Sequence, residues 1–153
     1  MSYTVSRVQW EQAAPLLKNV REQVFVYEWR IPKSIEFDRK DHFANHVLAC
    51  HDKTQEPIGT GRILSTGEIS RIAVLKSCRK DQVDKIILQA LFKIAREMNL
   101  KEIFIYCPLE TIDYFRKFHF NTEGAVFMEA GMARQKMTCP LNEVSVAKYY
   151  LSH

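Results

Sequence analysis

The sequence predicts a mixed α/β fold with a mixed sheet and the element order βαβββαβαββ, and three observations carry that reading. Short apolar runs of strand length are interspersed with stretches of helical period. Turn residues punctuate them at short intervals, and neither an internal repeat nor a low-complexity linker divides residues 1–153, so a single domain is expected. Composition agrees: at 153 residues, 46% apolar and 26% charged, the chain can bury well over half of its unfolded surface without staples.

Along the chain, Tyr3–Val8 alternates as a strand, and Ala13, Leu16, Leu17, Val20 and Val24 then recur on one helical face. Residues 28–45 mix charge and aromatics around Pro32 without clean period, which predicts a loop with a short helical turn and a candidate binding surface. Residues 46–51 and 58–64 form a predicted hairpin about the turn-rich segment 52–57. Gly67 marks another turn ahead of a strand at 69–75. Val83, Ile86, Ile87, Ala90, Leu91, Ile94 and Met98 line one side of a long helix, and the fully apolar 103–106 is expected as a central strand. A short helix at 111–118 and a closing hairpin, 125–129 with 132–139 around Gly131, complete the order; residues 142–153 read as a tail.

Charge and cysteine usage narrow the function classes. Twenty-two Lys and Arg against eighteen Asp and Glu give a formal +4, too mild and too scattered to predict a nucleic-acid partner. Cys50, Cys78, Cys107 and Cys139 have no C-x-x-C spacing, so free thiols in a reducing cytoplasm are expected rather than zinc or disulfides. No apolar run reaches signal-peptide or membrane-spanning length, which predicts a soluble cytoplasmic protein without a membrane partner. His42 and His46 have ligand-like i, i+4 spacing, but a strand beginning at His46 breaks that register, so a structural histidine and no metal site are expected.

The most informative stretch is 67–84, GEISRIAVLKSCRKDQVD, where an apolar strand runs through a basic turn into an amphipathic helix. Strand, turn and helix N-terminus together favour an anion, because first-turn N–H groups and the helix dipole point at it. None of the five glycines falls in this turn, and Asp81 with Asp84 has the spacing of a capping box whose carboxylates compete for the same donors. Lys76, Arg79, Lys80 and Lys85 offset those acids, so an anion site is expected to be weakened, not abolished.

The order of elements, together with REQVFVYEW (21–29), EFDRKDHFANH (36–46), GTGR (59–62), RIAV (71–74) and FMEAGM (127–132), resembles the small bacterial branch of the GNAT N-acetyltransferase superfamily over nearly the whole chain. The resemblance implies acetyl-CoA bound along Ile72, Ala73 and Val74, with its pyrophosphate on the turn Arg79, Lys80, Asp81, Gln82, Val83 and Asp84. Arg79 matches the family's R-x-x-G-x-G/A turn, whereas Gln82 and Asp84 replace its glycines. A second resemblance is to acyl-homoserine-lactone synthases of the same fold. It rests on Arg21, Phe25, Trp29, Glu36, Asp38, Asp41, Arg62 and the stretch Glu68-Ile69-Ser70-Arg71, and implies acyl carrier protein as donor. The basic Lys76, Arg79 and Lys80 suit an acidic carrier.

Acyl transfer to an amine requires a base, since an alkylammonium has a pKa near ~10. The resemblance assigns that role to Glu28 and implies a backbone N–H near Val74 for the oxyanion; Glu36, Asp38 and Asp41 are read either as lining a site for a small cationic amine, with Trp29 and Arg71, or sharing the base role, or as a solvated acidic loop paired with Arg39 and Lys40. The family's thiolate-protonating Tyr aligns with Phe115; Tyr114, one residue away, is the candidate acid but points about 100° around the helix. His119 stands where a glycine is expected, and reads as either an acid or a surface residue. Cys107 reads as an inert buried thiol. N-acyl transfer from acetyl-CoA is the leading reading, transfer from acyl carrier protein the second, and a non-catalytic binding domain the third. Exposed strands near the C-terminal hairpin suit a homodimer.

Overall fold

The computed structural model describes residues 2–141, so the tail read at 142–153 lies outside the described residues. Two compact units emerge. The first comprises residues 2–65 and Ile69–Ile94, the second Thr66–Glu68 and residues 95–141.

In the first unit β1 (Tyr3–Val8), β2 (Asn45–His51), β3 (Pro57–Ile63) and β4 (Ile69–Val74) form an antiparallel sheet in sequence order. α1 (Trp10–Arg21) passes into a π-helical turn, Glu22–Glu28; α2 (Lys33–Glu36) and a 3-10 turn, Arg39–His42, follow before β2. A second 3-10 turn, Lys76–Asp81, leads into α3 (Val83–Glu97), whose residues up to Ile94 belong to this unit.

Strand periodicity sorts the central residues onto two faces. Leu48 joins Trp10, Ala13 and Leu17 in the cluster beneath α1, while Val47, Ala49, Gly59 and Gly61 face Ile87 and Leu91 of α3. The glycines permit that approach: a Cβ at Gly59 or Gly61 would stand 2.8 Å from an Ile87 side-chain carbon. Val83, Ile87, Leu88, Leu91, Phe92 and Ile94 are buried on α3. Leu88 and Phe92 therefore extend the stripe expected from the sequence, and Ile86 is left partly exposed.

β4 is not regular. Arg62 pairs with Ser70 and Thr60 with Ala73, so Arg71 and Ile72 together stand against Gly61 in a bulge, with Arg71 at φ 57. A left-handed non-glycine residue costs about 1–2 kcal/mol. β4 begins at Ile69, and the bulge resets the alternation of faces beyond Ser70.

In the second unit β5 (Glu102–Pro108), β6 (Asn121–Glu129) and β7 (Met132–Pro140) form an antiparallel sheet in the order β5-β7-β6, and α4 (Ile112–Arg116) links β5 to β6. β5 was expected as a central, wholly apolar strand. It instead stands at the edge of this sheet, with one parallel bridge from Phe104 to Glu68, and it alternates: Ile103, Ile105 and Cys107 are buried, Phe104 and Tyr106 are not. The hairpin turns through Ala130 and Gly131, both at positive φ, as the twist of paired strands demands. α4 ends in a Schellman motif: Phe120 N–H donates to Phe115 O and His119 N–H to Arg116 O, with His119 at φ 71 and the Phe115 and Phe120 rings 5.6 Å apart. The glycine expected at position 119 is thus a helix-end requirement, and an exposed His meets it at some strain.

Replacing Gly61 by Ala is expected to destabilise the protein by about 1–3 kcal/mol, because Ile87 and Leu91 must be driven off β3. Urea unfolding measures this; a loss below ~0.5 kcal/mol would show that α3 has room to spare.

Candidate active site

Leu48 and Cys50 continue the α1-facing row of the sheet as apolar residues, whereas the same row at His46 and Arg62 is polar and buried. Arg21, the last residue of α1, is also buried, and its guanidinium lies 4.9 Å from the Phe37 ring. Its Nε donates to Glu36 Oε2 at 2.9 Å, and its terminal nitrogens donate to Asp41 Oδ1 at 2.7 Å and to the Glu36 carbonyl at 2.9 Å. Asp41 Oδ1 also accepts from Arg62 at 2.8 Å. Arg62 in turn donates to both Asp38 oxygens, at 2.8 and 3.0 Å, and to Ser70 Oγ at 2.9 Å. Arg71 reaches back from the β4 bulge to the Glu36 carbonyl at 3.1 Å and to Asp38 Oδ2 at 3.3 Å.

Three arginines and three carboxylates therefore form one neutral, largely buried cluster. Removing a single member would strand an opposite charge in the interior. Glu36 and Asp41, expected from the sequence around a cationic substrate, are almost wholly buried with oxygens held by arginines, and only Asp38 and Arg71 of this group are partly exposed. Burial opposes ionisation of Asp38, but the hydrogen bonds and charge of Arg62 outweigh it and lower the carboxyl to about 2. His46 stacks on Trp10 with ring centroids 5.2 Å apart, and its Nε2 lies 2.8 Å from the Asp41 carbonyl oxygen. Burial holds this imidazole below its ordinary value, as suits a structural histidine. Among the described residues no group of three or more His, Cys, Asp or Glu is disposed to hold a metal ion.

A second cluster joins the π-helical turn to the basic turn after β4. The i to i−5 bond from Trp29 N–H to Val24 O closes the π turn, and Phe25 packs with Val20, Val24 and Ala73 beneath it. Trp29 is partly exposed, edge-on to Phe25 at 5.2 Å. Glu28, the last residue of that turn, accepts two parallel hydrogen bonds from Arg79, at 2.7 Å and 2.6 Å. Arg79 Nε donates to the Val74 carbonyl at 2.9 Å. These bonds hold the Glu28 carboxyl below the usual carboxylate range and raise Arg79 in return. The candidate base and the candidate phosphate-binding arginine are thus each other's partner. No sequence signal announces a pair so far apart in the chain.

Within the basic turn, Gln82 has φ 59 and ψ 32, the left-handed conformation that glycine adopts without strain. The residue at the expected glycine position thus takes a left-handed backbone although it is not glycine. The Asp81 carboxylate accepts a 2.5 Å hydrogen bond from the Tyr3 hydroxyl, which ties the turn to β1 and drives the Tyr3 phenol upward. Ala73 and Val74 are buried and Ile72 is partly buried; Lys80 is exposed, Asp84 is half-buried, and Val83 opens α3 within the core. In the second unit, Tyr114 packs its ring against Phe115 and Phe118 at centroid distances of 5.1 and 5.2 Å. Phe115, at the position where the family has Tyr, is a buried packing residue. Cys107 is buried and burial raises its thiol, which agrees with an inert thiol.

A model of the Acetyltransferase (GNAT) family matches residues 9–120. A Bacillus subtilis (strain 168) protein named "Putative acetyltransferase BSU40680" is 31% identical over 140 residues, covering 88% of this chain and 94% of that protein. Among solved structures, an N-acetyltransferase by designation from Lactobacillus plantarum superposes with a TM-score of 0.84 at 18% identity, covering 93% of this chain and 100% of that one. The CoA-dependent acyl-homoserine lactone synthase BjaI, solved with SAM and isopentyl-CoA, superposes with a TM-score of 0.78 at 12% identity, covering 97% of this chain and 88% of that one. The chain belongs to the GNAT family of acyltransferase enzymes. Its fold is that of the acyl-CoA N-acyltransferases. Among the described residues no helix is long and apolar enough to cross a membrane.

The Asp38 shift fixes a pH window. Its folded value of about 2 lies below the ordinary ~3.9, so its stabilisation is complete above ~4 and is lost as the pH falls toward 2. Allowing for its partial exposure, wild-type protein should lose about 1–2 kcal/mol more than Asp38→Asn across that interval. Denaturant unfolding at a series of pH values measures the difference; parallel curves would contradict it.

Proposed function

We propose that the protein transfers the acetyl group of acetyl-CoA to the nitrogen of a small amine in the reducing cytoplasm, residues 1–153 acting as one catalytic domain. The observation that carries this reading is the strand, basic turn and long helix from Ile69 to Glu97, in which Gln82 keeps a left-handed backbone beside Arg79. Arg79, Lys80 and the backbone of 82–84 would hold the diphosphate, and the β4 residues Ile72, Ala73 and Val74 the pantetheine arm. Acetyl-CoA supplies a thioester whose acyl carbon bonds to the amine nitrogen while its sulfur leaves as the thiol. Glu28 takes the proton that the acceptor ammonium must lose, and Tyr114 is the candidate donor of the proton to sulfur.

The donor site is weakened relative to the family pattern. Gln82 and Asp84 carry side chains where the turn needs exposed N–H groups, and Asp84 adds a negative charge at the start of α3. Glu36 and Asp41 act as positioning residues, because their carboxylates are already neutralised by Arg21 and Arg62. Asp38, Arg71 and Trp29, partly exposed, are the better candidates to touch the acceptor. The likeness to a lactone synthase is to a CoA-dependent one and adds nothing in favour of acyl carrier protein as donor.

Calorimetric titration tests the reading. Acetyl-CoA and CoA should bind the wild-type chain, and the double change Gln82→Gly with Asp84→Gly should tighten binding by about tenfold, through closer approach of the ligand to the turn's backbone and removal of a repelling carboxylate. No binding at millimolar ligand would discard the CoA-dependent enzyme, and binding without a gain in the variant would move the phosphates to another surface.

A further inference from the structure

We propose that Glu28 is an internal competitor for the donor's diphosphate: it occupies Arg79 in the free protein, and donor binding displaces it, so that the base is released only when the donor is loaded. This rests on the CoA-dependent reading above and adds an order of events to it.

The geometry is that of an occupied anion site. Arg79 presents two N–H groups in parallel to the two Glu28 oxygens at 2.7 and 2.6 Å, the arrangement that a phosphate's oxygens would also accept. Its third donor, Nε, is anchored to the Val74 carbonyl at the end of β4, so the guanidinium stays in place whichever anion it holds. Glu28 and Arg79 are about one-third exposed, at 34% and 38%, unlike the buried arginine cluster next door. Exchange of partners therefore disturbs only the surface. One carboxylate carries a single negative charge and a diphosphate about two, so the ligand outcompetes Glu28 for Arg79, with Lys76 also near Glu28.

The consequence concerns the base. While bound by the fork, Glu28 is a poor proton acceptor, because Arg79 stabilises its ionised form. Freed from Arg79, it returns toward the ordinary carboxylate range and is available to the acceptor ammonium. The same contact that restrains the base before loading thus lowers the affinity of the turn for its ligand.

Titration of the full chain with CoA decides the matter, using wild type, Glu28→Gln and Glu28→Asp. Glu28→Gln removes the competing charge and should bind CoA about fivefold more tightly than wild type, the equivalent of one exposed bidentate pair. Glu28→Asp keeps the charge on a shorter arm and should fall between the two. If wild type binds CoA but Glu28→Gln binds no more tightly, the competition is wrong and the CoA-dependent reading survives. If no form binds CoA, both fall together. Thermal melts of the variants identify a misfolded one, in which case Glu28→Asp alone carries the comparison, with equal affinity to wild type overturning the proposal.

Discussion

Arg21, Arg62 and Arg71 against Glu36, Asp38 and Asp41 form the constraint on which the first unit depends. The cluster ties the end of α1, the α2 turn, the 3-10 turn, β3 and the β4 bulge through side chains that have few alternative partners. Its value lies in specificity more than in net stability. Desolvating six charges costs nearly what their attraction returns, but each partial rearrangement leaves a charge unpaired in the interior. Segment 33–42, built of two single helical turns, is thereby held in one conformation.

That constraint reaches the candidate chemistry through the π-helical turn. Arg21 closes α1 immediately before Glu22–Glu28, so fixing its guanidinium fixes the origin of the turn. Phe25 and Val24 pin its inner face to Ala73, and Glu28 is delivered at its end to Arg79. A strained bulge at Arg71 is tolerated for a related reason, since its guanidinium bonds to Glu36 and Asp38 offset the left-handed backbone. Backbone irregularity and buried charge are thus paired features of one region.

Much of this fold was legible in the sequence because it obeys two periods. Tyr3–Val8, the 46–63 hairpin and the stripe of α3 are set by alternation and by 3.6-residue spacing, and they appear within a residue or two of their expected bounds. β5 departs from the sequence expectation because its composition is apolar on both faces while only one face is buried. The apparent loss of glycines was legible as sequence but not as geometry: Gln82 and His119 occupy left-handed positions that ordinary propensity would deny them. The acidic loop invites a substrate-binding reading because its arginine partners lie 15 to 35 residues away in the chain. Long-range charge pairing leaves no periodic trace, and the Glu28 to Arg79 fork escaped detection for the same reason.

The buried cluster is also what separates a loop held in place from one that merely lies on the sheet. The most direct measurement is a double-mutant cycle on Arg21→Met and Asp41→Asn by equilibrium unfolding. A coupling energy of about 2–3 kcal/mol is expected of two charges that share one buried fork. A value below ~0.5 kcal/mol, that of an exposed pair, would contradict the claim that this cluster fixes the loop and, through it, the site.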